Sequence, residues 1–377
     1  MKLKNINSFI NHPVLRCLRQ AQADTRKRHP EFIEGNSVNG SYTKSLKRVS
    51  YLFSILLLFS VAISCTKSPA EFITLQGNAQ GTTFRIVYQD SLSRDFTADI
   101  QTLFKDIDQS MSLWVDNSII SKVNEGEVNV KLDEPFIRVF NASQKISTVT
   151  DGAFDITVAP LVKAWGFSFK KDLPPPTNMQ IDSLNQLVDY QQISIENEQL
   201  VRRKKNVSID FNAIAQGYSV DAVAEFLESK EIVNYMIEIG GEVRANGINS
   251  RNESWNIGID KPVESGERKL QAVISLKNKS LATSGSYRKF IQRDGKKYSH
   301  TIDPKTGYPV THNLLSASVL ADNCTDADGY ATACMVLGIE KSLELAQKVG
   351  FEVYLIFTNE NGEFDVRKSA GFEVLNP

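Results

Sequence analysis

Little in this sequence points to covalent cross-linking or to a zinc module. Its four cysteines, at 17, 65, 324 and 334, include no C-x-x-C pair and no zinc-ligand spacing, which argues against a disulfide framework and a structural zinc site. An excess of charge of one sign is missing too: 43 basic residues against 44 acidic leave a formal net charge of −1. A surface built for a polyanion carries a basic excess, so nucleic acid is not expected as a partner. The sequence has no Gly-rich G-x-G-x-x-G strand-turn-helix, which argues against a Rossmann flavoenzyme. No internal repeat stands out. The apolar run from Tyr51 to Ile63 falls short of the roughly 20 residues that a membrane-spanning helix needs.

What is present has ordinary globular composition: 377 residues, 41% hydrophobic and 23% charged, enough for one large domain or two modest ones. The first 65 residues read separately. "KSLKRVSYLFSILLLFSVAISC", residues 44–65, has a basic head (Lys44, Lys47, Arg48), the short apolar run, and small Ala62 and Ser64 just before Cys65. That is the layout of an export signal, and the residues around Cys65 resemble a bacterial lipoprotein cleavage box, with Cys65 as the lipidated first residue of the mature chain. An ordinary signal peptide with a coincidental cysteine is the alternative. Residues 1–43 are polar, unpatterned and longer than a signal's head. They are expected to be a disordered extension, explained by a mis-assigned upstream start codon. Residues 66–71 read as a tether, and 72–377 as the functional domain.

Within that domain Phe72 to Tyr88 reads as extended chain around a Gly77–Gly81 turn. Phe96, Ile100, Leu103, Phe104, Ile107 and Met111 recur at helical intervals, and a second helix is predicted over Glu134 to Thr148. Between Lys171 and Lys205 the chain turns polar, with Pro174 to Pro176 and "RRKK", and reads as an excursion at a subdomain edge. From Val207 the pattern predicts a strand, then a helix over Tyr218 to Ser229, then a hairpin turning near Gly240 and Gly241. Further strands are expected at Trp255 to Asp260, Gln271 to Leu276 and Leu314 to Leu320. A helix from about Asp326 and closing strands at Glu352 to Thr358 and Phe364 to Lys368 complete the chain. Strands mixed with packed helices predict an α+β fold with mixed, mainly antiparallel sheets.

Several short clusters carry potential chemistry. "GTTFRIV" from Gly81 sets two hydroxyls beside a strand, and "FDITVAPLVKAWGF" from Phe154 mixes a carboxylate and a threonine with large apolar groups. "DFNAIAQGYSVD" from Asp210 enters a helix through Gly217, and "ATSGSYRKF" from Ala282 combines small hydroxyl residues with Tyr287 and Arg288. Each taken alone is also explained by caps, turns and core aromatics. "CTDADGYATACMVLG" from Cys324 is more informative. Asp328 and Thr332 are spaced i, i+4, so their side chains share one helix face. A carboxylate with a hydroxyl is a hard oxygen set suited to Mg²⁺, and Mn²⁺ suits the same oxygens. The competing reading makes Asp328 a dipole-compensating first-turn acid and Thr332 a buried spacer. "HTIDPKTGYPV", His300 to Val310, sets an imidazole three residues before a carboxylate in a stretch rich in turn residues. On its own it is equally a surface loop.

Taken in order, "GTTFRI", "FDITVAPLVKAWGF", "DFNAIAQGYSVD", "GGEVRANG", "ATSGSYRKF", "SHTIDPKTGYPV" and "ADGYATACMVLG" resemble the ApbE-like FAD:protein FMN transferases, lipoproteins once linked to thiamine biosynthesis. The resemblance runs from about Phe72 to Gly371. It implies an ApbE-like, T-fold-related architecture and a Mg²⁺-dependent reaction. In that reaction FAD is split at its pyrophosphate, FMN passes to a threonine hydroxyl of an exported redox subunit, and AMP is released. It implies metal donors at Asp328, Thr332 and the backbone carbonyl of Ala213. Gln216 is expected against the flavin nucleotide, where relatives carry Lys or Glu. Gln80, Gly81 and Thr82, Phe154, Asp155 and Thr157, Ser284 and Gly285, and Ile302 are the other matched positions expected near FAD. Gln80 departs from the family pattern, which has methionine there.

Transfer at phosphorus needs charge neutralisation, an aligned acceptor and a group to take the hydroxyl proton. In the family pattern H-x-x-D-P-x-T-G, His300 and Asp303 fall beside the diphosphate. An imidazole of ordinary pKa accepts a proton near neutral pH, so His300 is assigned as general base, with Asp303 orienting it or joining the metal's outer sphere. Asp303 is the rival base, and His312 reads as a surface histidine. Two other classes of function stay open on the sequence: a Mg²⁺-dependent FAD pyrophosphatase giving FMN and AMP, and a non-catalytic FAD-binding lipoprotein. The implied location is the periplasmic side of a membrane, held by the lipid on Cys65.

Overall fold

The computed structural model describes residues 71–375 apart from 169–173, 264–268, 287–289 and 294–295. The expected N-terminal extension, the expected export signal with Cys65, and the expected tether apart from Glu71 therefore lie outside the described residues. The described chain opens with strands β1 (Phe72–Ala79) and β2 (Thr82–Gln89), paired antiparallel. Gln80 and Gly81 join them at φ 52° and 74°. Two left-handed residues make a primed turn, whose twist matches that of the strands it connects. Helix α1 (Thr97–Met111) follows and buries Ile100, Phe104, Ile107 and Met111 along one stripe. After α2 (Ile119–Glu125) comes α3 (Glu134–Val149), opened by Asp133, whose side chain accepts from Phe136 N at 3.0 Å. A cap of this kind stabilises a helix by about 1 kcal/mol.

The middle of the chain carries α4 (Ala159–Trp165), α5 (Asn178–Asn185) and a hairpin of β3 (Ile193–Glu196) with β4 (Gln199–Arg202). This corrects the reading of 171–205 as a loose excursion. The described part, from Pro174, has its own capping box at Thr177 and Gln180, and it buries Ile181 and Ile193. The predicted strand at Val207 is also absent. Val207, Ile209 and Phe211 are buried in alternation as a strand would be. Yet Ile209 N donates to Asn124 Oδ1 at 2.8 Å, and Asn124 Nδ2 donates to Ile209 O at 2.8 Å. One amide side chain takes the place of a neighbouring strand.

Helix α6 (Ala215–Ser229) leads to strands β5 (Tyr235–Ile239), β6 (Glu242–Asn246), β7 (Trp255–Asp260), β8 (Leu270–Leu276) and β9 (Lys279–Gly285). Next come β10 (Phe290–Arg293), β11 (Lys296–Ser299), β12 (Leu314–Ala321), α7 (Cys324–Leu337), α8 (Ile339–Val349), β13 (Glu352–Thr358) and β14 (Phe364–Lys368). Helix α7 begins two residues before the expected Asp326, because Asn323 caps it: its side chain accepts from Asp326 N at 2.7 Å.

Eight strands form the central sheet in the order β1-β2-β5-β6-β9-β12-β13-β14, with every neighbouring pair antiparallel. The fold is α+β. Period-two alternation divides its faces. Ile86, Tyr88, Tyr235 and Ile237 pack with α1 and α6, whereas Val87 and Met236 pack with Trp255, Ile259 and Ile274 of the β7–β8 hairpin. The largest cluster joins α3 and α7 to β12 and β13. A small separate one holds Leu161, Trp165, Ile181 and Ile302.

Candidate active site

Helices α6 and α7 touch where α6 begins. Gly217 is the reason they can: a Cβ there would lie 2.4 Å from Cys324 O and 2.7 Å from Asp328 Cβ, so any side chain would force the helices apart. Gly217 is the third residue of α6, so its N–H has no partner within the helix. It donates to Asp328 Oδ2 at 3.0 Å. The Asp328 carboxyl is buried, and burial pushes its pKa up to about 7, partly offset by that amide bond. One turn further along the same face, Thr332 Oγ1 lies 3.2 Å from Ser284 Oγ at the end of β9. Asp328, Thr332 and Ser284 thus present oxygens only.

The β1–β2 turn closes on the same end of α6. Gln80 Nε2 donates to Ser219 Oγ at 2.8 Å, and Ser219 Oγ donates to Ala215 O. Gly240 lies in the turn between β5 and β6 at φ 67°, and a Cβ there would meet Gln216 Nε2 at 2.4 Å and Thr82 Cγ2 at 3.0 Å. Gln80, Thr82 and Gln216 are therefore gathered around the first turn of α6, with Gly81 between the first two.

Phe154, Asp155 and Thr157 are engaged in the framework. Phe154 is buried in the large core. Asp155 Oδ1 accepts from Thr157 N at 2.8 Å and Thr157 Oγ1 at 2.6 Å, while Oδ2 accepts from Tyr190 N at 2.8 Å. Thr157 Oγ1 in turn accepts from Asp189 N. Burial raises the Asp155 pKa, and these bonds counter the shift.

The His300–Val310 stretch is a braced loop. Ile302 bridges to Pro309, and Val310 N donates to Thr301 O. Asp303 Oδ1 accepts from Lys305 N at 2.9 Å, and Asp303 O accepts from Gly307 N at 2.8 Å. Gly307 stands at φ 77° and its carbonyl accepts from Trp165 Nε1 at 2.9 Å. Asn185 Nδ2 donates to Lys305 O, and Lys305 pairs with Asp151. Ile302 is buried against Leu161, Trp165 and Ile181. The half-buried His300 ring meets the edge of Phe167 at 6.3 Å and 69°. His300 follows directly on β11, and the turn beyond it is pinned through Asp303, Lys305 and Gly307. His312 is exposed, yet it is tied down through Nε2 to Met335 O at 3.0 Å, at the C-terminal end of α7.

These contacts draw Gln80, Thr82, Gln216, Gly217, Asp328, Thr332 and Ser284 into one connected group. Asp155, Thr157, Ile302 and Asp303 belong to a second, joined through Gly152, whose added Cβ would touch both Tyr190 and Lys305. The model of the ApbE family matches residues 80–355, from the β1–β2 turn into β13. The chain belongs to the ApbE family. A curated FAD:protein FMN transferase of Haemophilus influenzae is 37% identical over 342 residues, covering 87% of this chain and 98% of the relative. One from Vibrio cholerae is 35% identical over 323 residues, covering 82% and 93%. The solved flavin transferase ApbE from Vibrio cholerae superposes with a TM-score of 0.72 at 33% identity, covering 81% of this chain and 99% of that one.

The ApbE-family match takes in every candidate residue from Gln80 to Thr332, and it also takes in two that sequence reasoning passed over. Asp221 and Arg244, within the quoted "DFNAIAQGYSVD" and "GGEVRANG", pair at 2.8 Å beneath the α6–α7 contact. The available signal was an acid standing in the apolar run "GYSVDAVAEFL", one turn after the glycine.

Proposed function

We propose that this chain transfers FMN from FAD to a threonine hydroxyl of an exported acceptor protein and releases AMP, with Mg²⁺ or Mn²⁺ as the required cation. The reading is carried by the buried Asp328, its carboxyl turned by the Gly217 amide toward the start of α6 in a chain that belongs to the ApbE family. A carboxyl raised to about 7 by burial is one that a divalent cation would hold ionised at neutral pH. Asp328, Thr332 and the carbonyl of Ala213 make an oxygen-only set with a single carboxylate, the kind that Mg²⁺ shares with phosphates. A cation held there would supply positive charge to offset that of the diphosphate. The acceptor oxygen bonds to the FMN phosphorus, the bridging oxygen leaves with AMP, and His300 takes the hydroxyl proton. Gln80, Thr82 and Gln216 line the nucleotide's place around the first turn of α6, and Ser284 joins them from beside Thr332. Asp155 and Thr157 contribute by holding the 189–190 turn rather than through free polar atoms.

Calorimetry tests the substrate: FAD should bind more tightly than FMN or ADP, and AMP should appear only with Mg²⁺ or a similar hard cation. Equal binding of FMN and FAD would sink the substrate assignment. Thr332→Val, which keeps shape and deletes the hydroxyl, should raise the Mg²⁺ needed for activity and be partly rescued by excess cation. FMN appearing free, with none on an acceptor protein that carries a target threonine, would move the reading to a pyrophosphatase.

The same proposal puts the domain on the periplasmic side of a membrane, anchored through Cys65. Mass spectrometry of the mature protein should find a lipidated N-terminal cysteine, and Cys65→Ser should release the protein or leave it unprocessed. An unmodified N-terminus at another residue would refute the anchor.

A further inference from the structure

A helix begins with four backbone N–H groups that have no partner inside it. In α7 the first regular bond runs from Ala327 N to Asn323 O at 3.2 Å, and the N–H groups before it are divided. Asp326 N donates locally, to Asn323 Oδ1 at 2.7 Å. Cys324 N and Thr325 N donate instead to another helix: to Asp221 Oδ1 at 3.0 Å and Asp221 Oδ2 at 2.8 Å. Thr325 Oγ1 adds a bond to Asp221 Oδ2 at 2.6 Å, and Arg244 Nη1 reaches Oδ1 at 2.8 Å while its Nη2 holds Glu228 Oε1 at 3.1 Å. Asp221 is 4% exposed. It caps α7 from α6.

Spacing connects this cap to the candidate chemistry. Gly217 and Asp221 are i, i+4 on α6, and Cys324, Asp328 and Thr332 follow at i, i+4, i+8 on α7, so both sets lie along the facing stripes. Asp221 grips the first turn of α7, and Gly217 N grips the second through Asp328. Two fixed points on successive turns set both the slide and the rotation of α7 against α6. They thereby set where the Asp328 carboxylate and the Thr332 hydroxyl stand relative to Ala213 and Gln216.

We propose that Asp221 is the positioning residue of the Asp328–Thr332 site, holding α7 in the register at which those two oxygens meet a divalent cation. The inference rests on the reading of Asp328 and Thr332 as the cation's donors. Its test is cation binding itself, followed as the loss of the free Mn²⁺ paramagnetic signal on titration into the FAD-loaded full-length protein, beside the Mg²⁺ dependence of AMP release. Asp221→Asn keeps size and one acceptor oxygen but turns an N–H₂ group toward a donor it cannot accept. It should weaken Mn²⁺ binding by roughly 10- to 100-fold, the usual effect of removing a partner that orients a metal ligand. The Mg²⁺ needed for half-maximal AMP release should rise by the same factor, with the maximal rate at saturating Mg²⁺ largely recovered.

Asp90→Asn serves as the control for lost stability alone, since it breaks the ion pair of the buried Asp90 carboxylate with the half-buried Arg94: it should lower the melting temperature and leave Mn²⁺ affinity unchanged. If Asp221→Asn does not fold, Thr325→Val, which removes only the 2.6 Å bond, decides, with a smaller loss of affinity in the same direction expected. Wild-type Mn²⁺ affinity in the folded Asp221 variant, or in Thr325→Val where that variant decides, overturns the positioning role. Should Asp328→Ala and Thr332→Val also bind Mn²⁺ like the wild type, the donor assignment itself has failed. A loss of affinity in those two but not in the Asp221 and Thr325 variants overturns the positioning role alone.

Discussion

Asp328→Ala is expected to abolish both AMP release and flavin transfer while leaving a folded protein. The substitution removes the one charged donor assigned to the cation, so the diphosphate keeps its full negative charge as the acceptor oxygen approaches. Folding should survive because the carboxyl is costly where it stands. Its pKa in the folded, cation-free protein is about 7, against about 3.9 in an unfolded chain. A raised pKa means that the group's contribution to stability is fully present below the unfolded value and is lost as pH rises through about 7. Without cation the wild type should therefore lose stability relative to Asp328→Asn over that window, since the amide keeps the bond from Gly217 and cannot ionise. Mg²⁺ should cancel the loss, and the Mg²⁺ needed for half-saturation should fall as pH rises from 6 to 8. Melting curves of the two proteins across pH, with and without Mg²⁺, check the sign. Wild-type flavin transfer by Asp328→Ala at low Mg²⁺, read as gel fluorescence on an acceptor peptide, would remove Asp328 from the site.

His300→Ala is expected to slow transfer by roughly 10²- to 10⁴-fold, the usual worth of a positioned general base, with Mg²⁺-dependent FAD binding preserved. The separation is expected because His300 stands on a different framework from Asp328: its ring packs against Phe167 at the end of β11, while Asp328 is held by α6. Asp303→Asn provides the contrast. The amide oxygen can still accept from Lys305 N, and the backbone bond from Gly307 is untouched, so the loop should hold while the carboxylate's chemistry is lost. Single-turnover transfer rates, with FAD affinity measured on each variant, assign the roles. If His300→Ala turns over at the wild-type rate and Asp303→Asn does not, the base is Asp303.

Patterns that depend on neighbours in sequence were legible, and those that depend on distant partners were not. Helix α1 announced itself by periodicity, and the turn at Gly240–Gly241 by two glycines between alternating strands. The i, i+4 relation of Asp328 and Thr332 was likewise readable, since a helix converts spacing directly into a shared face. The strand expected at Val207 failed because alternation reports which side chains are buried, not what the backbone bonds to, and Asn124 lies 85 residues away. The motif singles out Asp155 and Thr157, but what their polar atoms do depends on the 189–190 turn, which no local pattern names. Asp221 was hidden for the same reason: the two backbone amides that it caps lie more than a hundred residues downstream.

The two halves of the candidate site rest on foundations of unequal depth. Asp328 and Thr332 ride on a helix whose Ala327, Tyr330 and Ala331 are part of the largest core. The loop from His300 to Val310 rests on four buried side chains, Leu161, Trp165, Ile181 and Ile302, in a cluster of its own. Local opening follows the depth of apolar contact beneath a segment, so on warming the loop should detach before the sheet and its helices melt. Between those two temperatures the molecule would still be folded and still take up cation, yet have no organised base. Heat inactivation would then begin as a reversible loosening of one corner of the molecule, well short of denaturation.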